Sequence, residues 1–149
     1  MNDLNQVIEL KQQGFYCSQI LVLLGLKLQG KTNPDLIKSV QALAGGLGFS
    51  GHVCGALTGG ACLLGLYAGK GKPEEEIDER LDLMVLSLVE WFEANTGAKY
   101  NGINCDQILE GSRANISIRC PDIVNDVFQK TKELLVEYGY NLDGSPSDD

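Results

Sequence analysis

Apolar residues along this chain recur mostly at steps of three and four, which predicts helices with one buried face and no convincing strand. Leu4, Val7, Ile8 and Lys11 outline a short helix from Asp3 to Gln13 that ends at Gly14. A second, densely apolar helix is expected from about Ser18 through Leu28 to Gly30. Asn33-Pro34-Asp35 then opens a third, because a proline in a first helical turn gives up no hydrogen bond, and Leu36, Ile37, Val40, Leu43 and Ala44 share its face. Pro73, followed by Glu74, Glu75 and Glu76, predicts a helix start with acids at the positive end of the dipole. The stripe of that helix is Ile77, Leu81, Met84, Val85, Leu88, Trp91 and Phe92. Pro121 is expected to open the last helix, with Ile123, Val124, Val127, Phe128, Thr131, Leu134, Leu135 and Tyr138 buried and Gly139 as its C-terminal cap.

One stretch breaks this regularity. Ala44 to Gly71 is crowded with glycine, each of which weakens a helix interior by about 1 kcal/mol relative to alanine. Gly51, Gly55 and Gly59 fall at four-residue steps, as do Ala61, Gly65 and Gly69, so each trio would form a smooth strip for close helix packing. The high apolar content predicts a buried central helix from Val53 to Ala68. The architecture expected is therefore all-α: one domain over residues 1–140, a bundle of about five to seven helices around a glycine-rich central helix. Residues 141–149 read as a polar, disordered tail.

Composition narrows the function. The chain has 149 residues and a formal charge of −8, with no local Lys/Arg cluster, so a phosphate backbone is repelled and a nucleic-acid partner is not expected. Ile20–Leu28 and Ala61–Ala68 are too short to span a bilayer, and the first residues carry an acid and no continuous apolar run. The expectation is a cytoplasmic protein without membrane insertion. Structural disulfides are rare in that compartment, so the five cysteines need another account. Gly46-Leu47-Gly48-Phe49-Ser50-Gly51 matches the letters of a dinucleotide fingerprint, but follows a helical pattern and has no acid at ribose distance; it reads as coincidence.

The cysteines are Cys17, Cys54, Cys62, Cys105 and Cys120, with no Cys-x-x-Cys pair among them. Cys62, between Ala61 and Leu63-Leu64, reads as packing. Cys17, Cys105 and Cys120 stand at predicted helix starts and Cys54 near another, where unpaired N–H groups favour thiolate. These four are the candidate site. Three uses compete: thiol–disulfide exchange or electron transfer, with Cys54 and Cys120 as candidate attacking residues; four thiolates, or three with His52, holding zinc or an iron–sulfur cluster; or a non-catalytic helical adaptor bound to a transporter. His52, two residues before Cys54, could alternatively act as a base, although a packed or solvated histidine is the commoner case. Phe15, Tyr16, Trp91, Phe92 and Phe128 read as packing, and Asn101, Gly102 and Asn104 as a loop delivering Cys105. The glycine strips admit a homodimer as well as packing within the chain.

Tyr16-Cys17-Ser18-Gln19, then Cys54-Gly55-Ala56-Leu57-Thr58-Gly59, then single cysteines at 105 and 120 resemble the C-GCAxxG-C-C family of redox-active proteins. The resemblance runs from about Gly14 to the last helix and takes in Gly45, Gly46, Gly48 and Arg119-Cys120-Pro121. Cys62 lies outside the pattern. The resemblance implies a redox-active cysteine set and an association with transporters, and supplies no substrate.

Overall fold

A computed structural model describes residues 3–146. Its elements are helical: α1 (Asp3–Gln12), α2 (Cys17–Leu28), α3 (Pro34–Val40) with a 3-10 turn over Gln41–Leu43, α4 (Gly55–Ala68), α5 (Glu79–Phe92), a π turn over Glu93–Gly97 leading into α6 (Ala98–Tyr100), α7 (Cys105–Leu109) and α8 (Asn115–Glu137). Among the described residues, extended pairing is confined to a single antiparallel bridge between Val53 and Asn104. No helix among them is long and apolar enough to cross a membrane.

The all-α bundle expected from the periodicity is the fold found, and the glycine-rich helix is its centre. α4 packs against α2, α5 and α8. Leu21, Leu24, Leu63, Leu64, Met84, Leu88, Phe92, Val127 and Leu135 form the core between them, each essentially excluded from water. The helix begins at Gly55, with Cys54 as its N-cap residue, slightly later than the Val53 start expected. Its first glycine strip works within the chain. A β-carbon on Gly59 would stand 2.8 Å from the Ser18 Cα, and one on Gly55 would stand 2.6 Å from the Cys17 Sγ. The second strip does not pack, since nothing lies within 4 Å of a β-carbon on Gly65.

Two helix starts differ from the sequence expectation. Pro73 does not open α5; the chain turns there, with the Glu75 carboxylate accepting from the Gly71 and Lys72 amides at 2.8 Å each. The acidic run thus closes a turn instead of capping a helix. α5 begins after Asp78, whose side chain accepts from the Arg80 amide at 3.0 Å, and Ile77 is left 76% exposed. The last helix also starts earlier than expected, at Asn115, which leaves Pro121 in its interior. Its predicted stripe is otherwise buried from Ile123 to Leu135. It closes as a glycine cap should, with Gly139 donating to the Val136 carbonyl and Tyr140 to that of Leu135.

Asp78 also anchors the chain after α8. Its carboxylate pairs with Arg80 at 2.8 Å and accepts from the Tyr140 hydroxyl. The Arg80 side chain, Tyr140 and this backbone hydrogen bond hold the Asp78 carboxyl well below the usual carboxylate range, against a smaller effect of burial. Beyond Tyr140, the Leu142 carbonyl accepts from the Tyr67 hydroxyl at 2.7 Å, and residues 147–149 of the polar tail lie outside the described residues. Asp78→Asn keeps a capping oxygen but removes the charge paired with Arg80, and should cost up to about 1 kcal/mol at neutral pH, the scale of a partly exposed ion pair. Because the folded-state pKa is depressed, this contribution is present above the ordinary value of 3.8 and fades as pH falls below it. Urea melts at pH 7 and pH 3 should show a difference between variant and parent that shrinks in acid; an equal difference at both would remove the assignment.

Candidate functional site

The Tyr16-Cys17-Ser18-Gln19 run fixes the first cysteine. Cys17 is the first helical residue of α2, and the buried Ser18 and Gln19 behind it are unusual polar core residues. Their partners explain them. The Ser18 hydroxyl donates to the Val40 carbonyl at 2.8 Å, and the Gln19 amide donates to that of Ile37 at 3.2 Å. Both carbonyls belong to the end of α3, where they have no partner within the helix. The Gln19 Oε1 also accepts from the Tyr16 amide at 3.0 Å. This double tie holds the start of α2 against α3, so the Cys17 sulfur falls over Gly55.

Cys54 and Cys105 are both positioned by the bridged loops. The Cys54 amide donates to the Ile103 carbonyl at 3.0 Å and the Cys105 amide to that of His52 at 2.6 Å. The sequence run Asn101 to Asn104 therefore does deliver Cys105, through backbone pairing and through Gln107, which donates to the Asn101 carbonyl at 2.9 Å and accepts from the Asn104 amide at 3.1 Å. His52 joins this frame through its backbone; its side chain is exposed.

Cys120 arrives from inside α8, so its expected helix-start position is not found. One residue earlier, Arg119 reaches to the Ile108 carbonyl at 2.6 Å and pairs with Glu110 at 2.7 Å, docking α8 against α7. Cys17, Cys105 and Cys120 line one cavity of about 60 Å³, walled by apolar side chains and bordered by Lys11, Tyr16 and Phe49. Cys54 is buried beside it, 6% exposed, and does not line it. All five cysteines are unbridged thiols. Cys62 stands apart, packed on the separate cluster of Val22, Leu26, Ile37 and Val40, as expected of a structural residue.

The four sulfurs feel one another. Burial raises the thiol of each, and Cys17 is the largest charge acting on Cys54, Cys105 and Cys120. Cys54 is pushed well up by desolvation and then by Cys17 and Cys120, with the Ala56 and Leu57 amides opposing. Cys120 is pushed up to about 12 by burial, then Cys17, with Lys11 drawing it back. Burial also raises Cys17, opposed by the amides of Gly45, Ser18 and Cys17 itself and by Lys11. Cys105, the least enclosed of the four, is raised by burial, Cys17 and Asp106, and drawn back by Arg113. No three of the described His, Cys, Asp and Glu side chains are grouped so as to hold a metal ion.

The wall beside Cys17 is a left-handed coil. Gly45, Gly46, Leu47, Gly48 and Phe49 all have positive φ, from 59° to 75°. Three are glycine, the residue that adopts this region without strain; Leu47 and Phe49 occupy it at φ 71° and 61°. Such strain, of order 1 kcal/mol per residue, survives where its surroundings enforce it. Here the Phe49 ring meets Tyr16 edge-on at 5.2 Å, the Ser50 hydroxyl donates to the Gly46 carbonyl at 2.9 Å, and the Gly51 and His52 amides donate to Gly45 and Gly46. The letters that match a dinucleotide fingerprint are this coil, which follows a 3-10 turn and no strand. Tyr16 is 43% exposed at the cavity mouth and not a core residue, and Phe49 and Lys11 join it there. Periodicity could not find these three; the dense glycines before Phe49 were the one local signal.

A family model described as "Putative redox-active protein (C_GCAxxG_C_C)" matches residues 15–134. The chain belongs to that family. The match covers every element from the start of α2 into the last turn of α8, and so includes all four cavity and core cysteines. No curated protein and no solved structure matches the chain.

Proposed function

We propose that this member of the redox-active C_GCAxxG_C_C family works by thiol–disulfide exchange at Cys17, Cys54, Cys105 and Cys120, with Cys105 as the attacking residue and Cys17 as the residue that resolves. The observation that carries this reading is the shared cavity: three thiols face one small space, and Cys17 is the group to which the other three respond. Exchange needs two sulfurs within reach, and no third ligand. Cys105 is favoured as attacker over Cys54 and Cys120 because it is the least desolvated thiol and the one that Arg113 acts on. A thiolate forms most readily where burial is least and a cation is near. The proposed working compartment is the cytoplasm, where a dithiol is kept ready by the reducing poise.

The test is direct. Reduced protein treated with one equivalent of a small disulfide, then alkylated and mapped by mass spectrometry, should lose two alkylatable thiols and yield a cross-linked peptide pair that contains Cys17. Five alkylatable thiols after treatment, or bridges that never include Cys17, would defeat the reading.

A further inference from the structure

The cavity is apolar inside and cationic at its border. Lys11, from the last turn of α1, lines it together with Cys17, Cys105 and Cys120. The exposed Arg113 guanidinium stands 5.0 Å from the centroid of the Phe49 ring, which also lines the cavity. Among the described residues neither cation is in a salt bridge, as is true of most of the chain's lysines, so what marks Lys11 and Arg113 is their place beside the cavity. The nearest acids are Asp106, which lies against Gly51 and opposes Arg113 at Cys105, and Asp122, which lines a neighbouring groove that shares Lys11. A chain of formal charge −8 otherwise repels anions. An apolar, thiol-lined space with Lys11 on its lining and Arg113 held over a lining ring is placed to meet an anion.

We infer that the disulfide taken by this cavity is a small anionic one, whose carboxylate or comparable group is received by Lys11 and Arg113 at the rim while its sulfurs enter the apolar interior. This rests on the exchange reading above and adds the substrate class to it. The division of labour follows from solvation: a sulfur atom loses little on leaving water, and a carboxylate loses much and must stay at the rim beside a cation. In the first step the Cys105 thiolate bonds to one substrate sulfur, breaks the S–S bond and releases one substrate thiolate. In the second the Cys17 thiolate displaces the other half, forming a Cys17–Cys105 disulfide. The protein dithiol gives up two electrons, the substrate disulfide gains them, and the two protons lost by the cysteines end on the two released thiols.

The experiment compares two aryl disulfides on the reduced full chain: the dianionic dithiobis(nitrobenzoate) and the neutral dithiodipyridine. Lys11→Gln/Arg113→Gln should slow both reagents, because Arg113 no longer favours the Cys105 thiolate, and should slow the dianion about threefold to tenfold more than the neutral reagent, the scale of one or two exposed charge pairs. High salt should erase the parent's preference for the dianion and have little effect on the double variant. The neutral reagent also reports that the variant is folded. An unchanged ratio of the two rates overturns the inference, and so does an equal loss with both reagents, which would place the cations' effect on the Cys105 thiolate alone. The mass of the product separates this from the exchange reading. A mixed disulfide that never closes would defeat the Cys17–Cys105 cycle, while the rate ratio would still decide the anion site.

Discussion

Gly59→Ala is expected to lower stability by about 1–3 kcal/mol, the usual cost of overpacking, although alanine is the better helix former by about 1 kcal/mol. The added methyl would lie 2.8 Å from the Ser18 Cα and 2.9 Å from its carbonyl oxygen. Those are backbone atoms of α2, and α2 is fixed on its other side by the Ser18 and Gln19 hydrogen bonds to α3, so neither helix can yield without disturbing the other contact. Gly65→Ala, on the same helix with nothing within 4 Å, should instead stabilise by up to about 1 kcal/mol. Urea midpoints of the two variants should therefore move in opposite directions. If both rise, propensity governs α4 and the close approach of α2 is unimportant. Gly55→Ala tests the site and not the seam: its nearest neighbour would be the Cys17 Sγ, so thiol reactivity should change more than the midpoint does.

This contrast also shows what was readable in the chain. The Gly55–Gly59 spacing pointed to close approach because two glycines one turn apart remove the side chains that hold helices apart. The same argument applied equally to Gly65 and Gly69, and there it fails; spacing cannot say whether a partner faces the strip. The α8 stripe was legible because burial repeats at helical period whatever the boundary. Its start was not, since Pro121 is a strong start signal. A proline inside a helix removes the hydrogen bond to the carbonyl four residues earlier, here that of Ser117, an exposed residue whose carbonyl water can serve. Docking of Arg119 on α7 then extends the helix past the proline. At α5 two start signals competed, and Asp78 prevailed over Pro73 because its carboxylate meets the Arg80 amide and side chain locally and Tyr140 from across the fold, where Arg80 also reaches the Tyr138 carbonyl. Of the four cysteines set apart from Cys62, three share the cavity and Cys54 is buried outside its lining. The reason given for Cys120 was wrong, and its place in the cavity comes from the packing of α8 against α1 and α2.

Cys17→Ser is expected to stop the exchange cycle at its midpoint. Cys105 should still attack a small disulfide at close to the parent rate, because it remains the least buried thiol with Arg113 beside it. The mixed disulfide should then accumulate, its release slowed at least about a hundredfold, since a neighbouring thiol acts at an effective concentration that free thiol in solution does not reach. Cys105→Ser should fail earlier, at the first adduct. Cys62→Ser should behave as the parent, because Cys62 packs on a different cluster and no site cysteine responds to it. Cys54→Ser should leave the first step intact, since Cys54 does not reach the cavity. Stopped-flow release of the first thiol, followed by intact mass over time, resolves the two steps in each variant. Equal behaviour of Cys17→Ser and Cys62→Ser would remove Cys17 from the cycle. Loss of the first step in Cys120→Ser but not in Cys105→Ser would transfer the attack to Cys120, a thiol that burial pushes up to about 12 and Lys11 draws back.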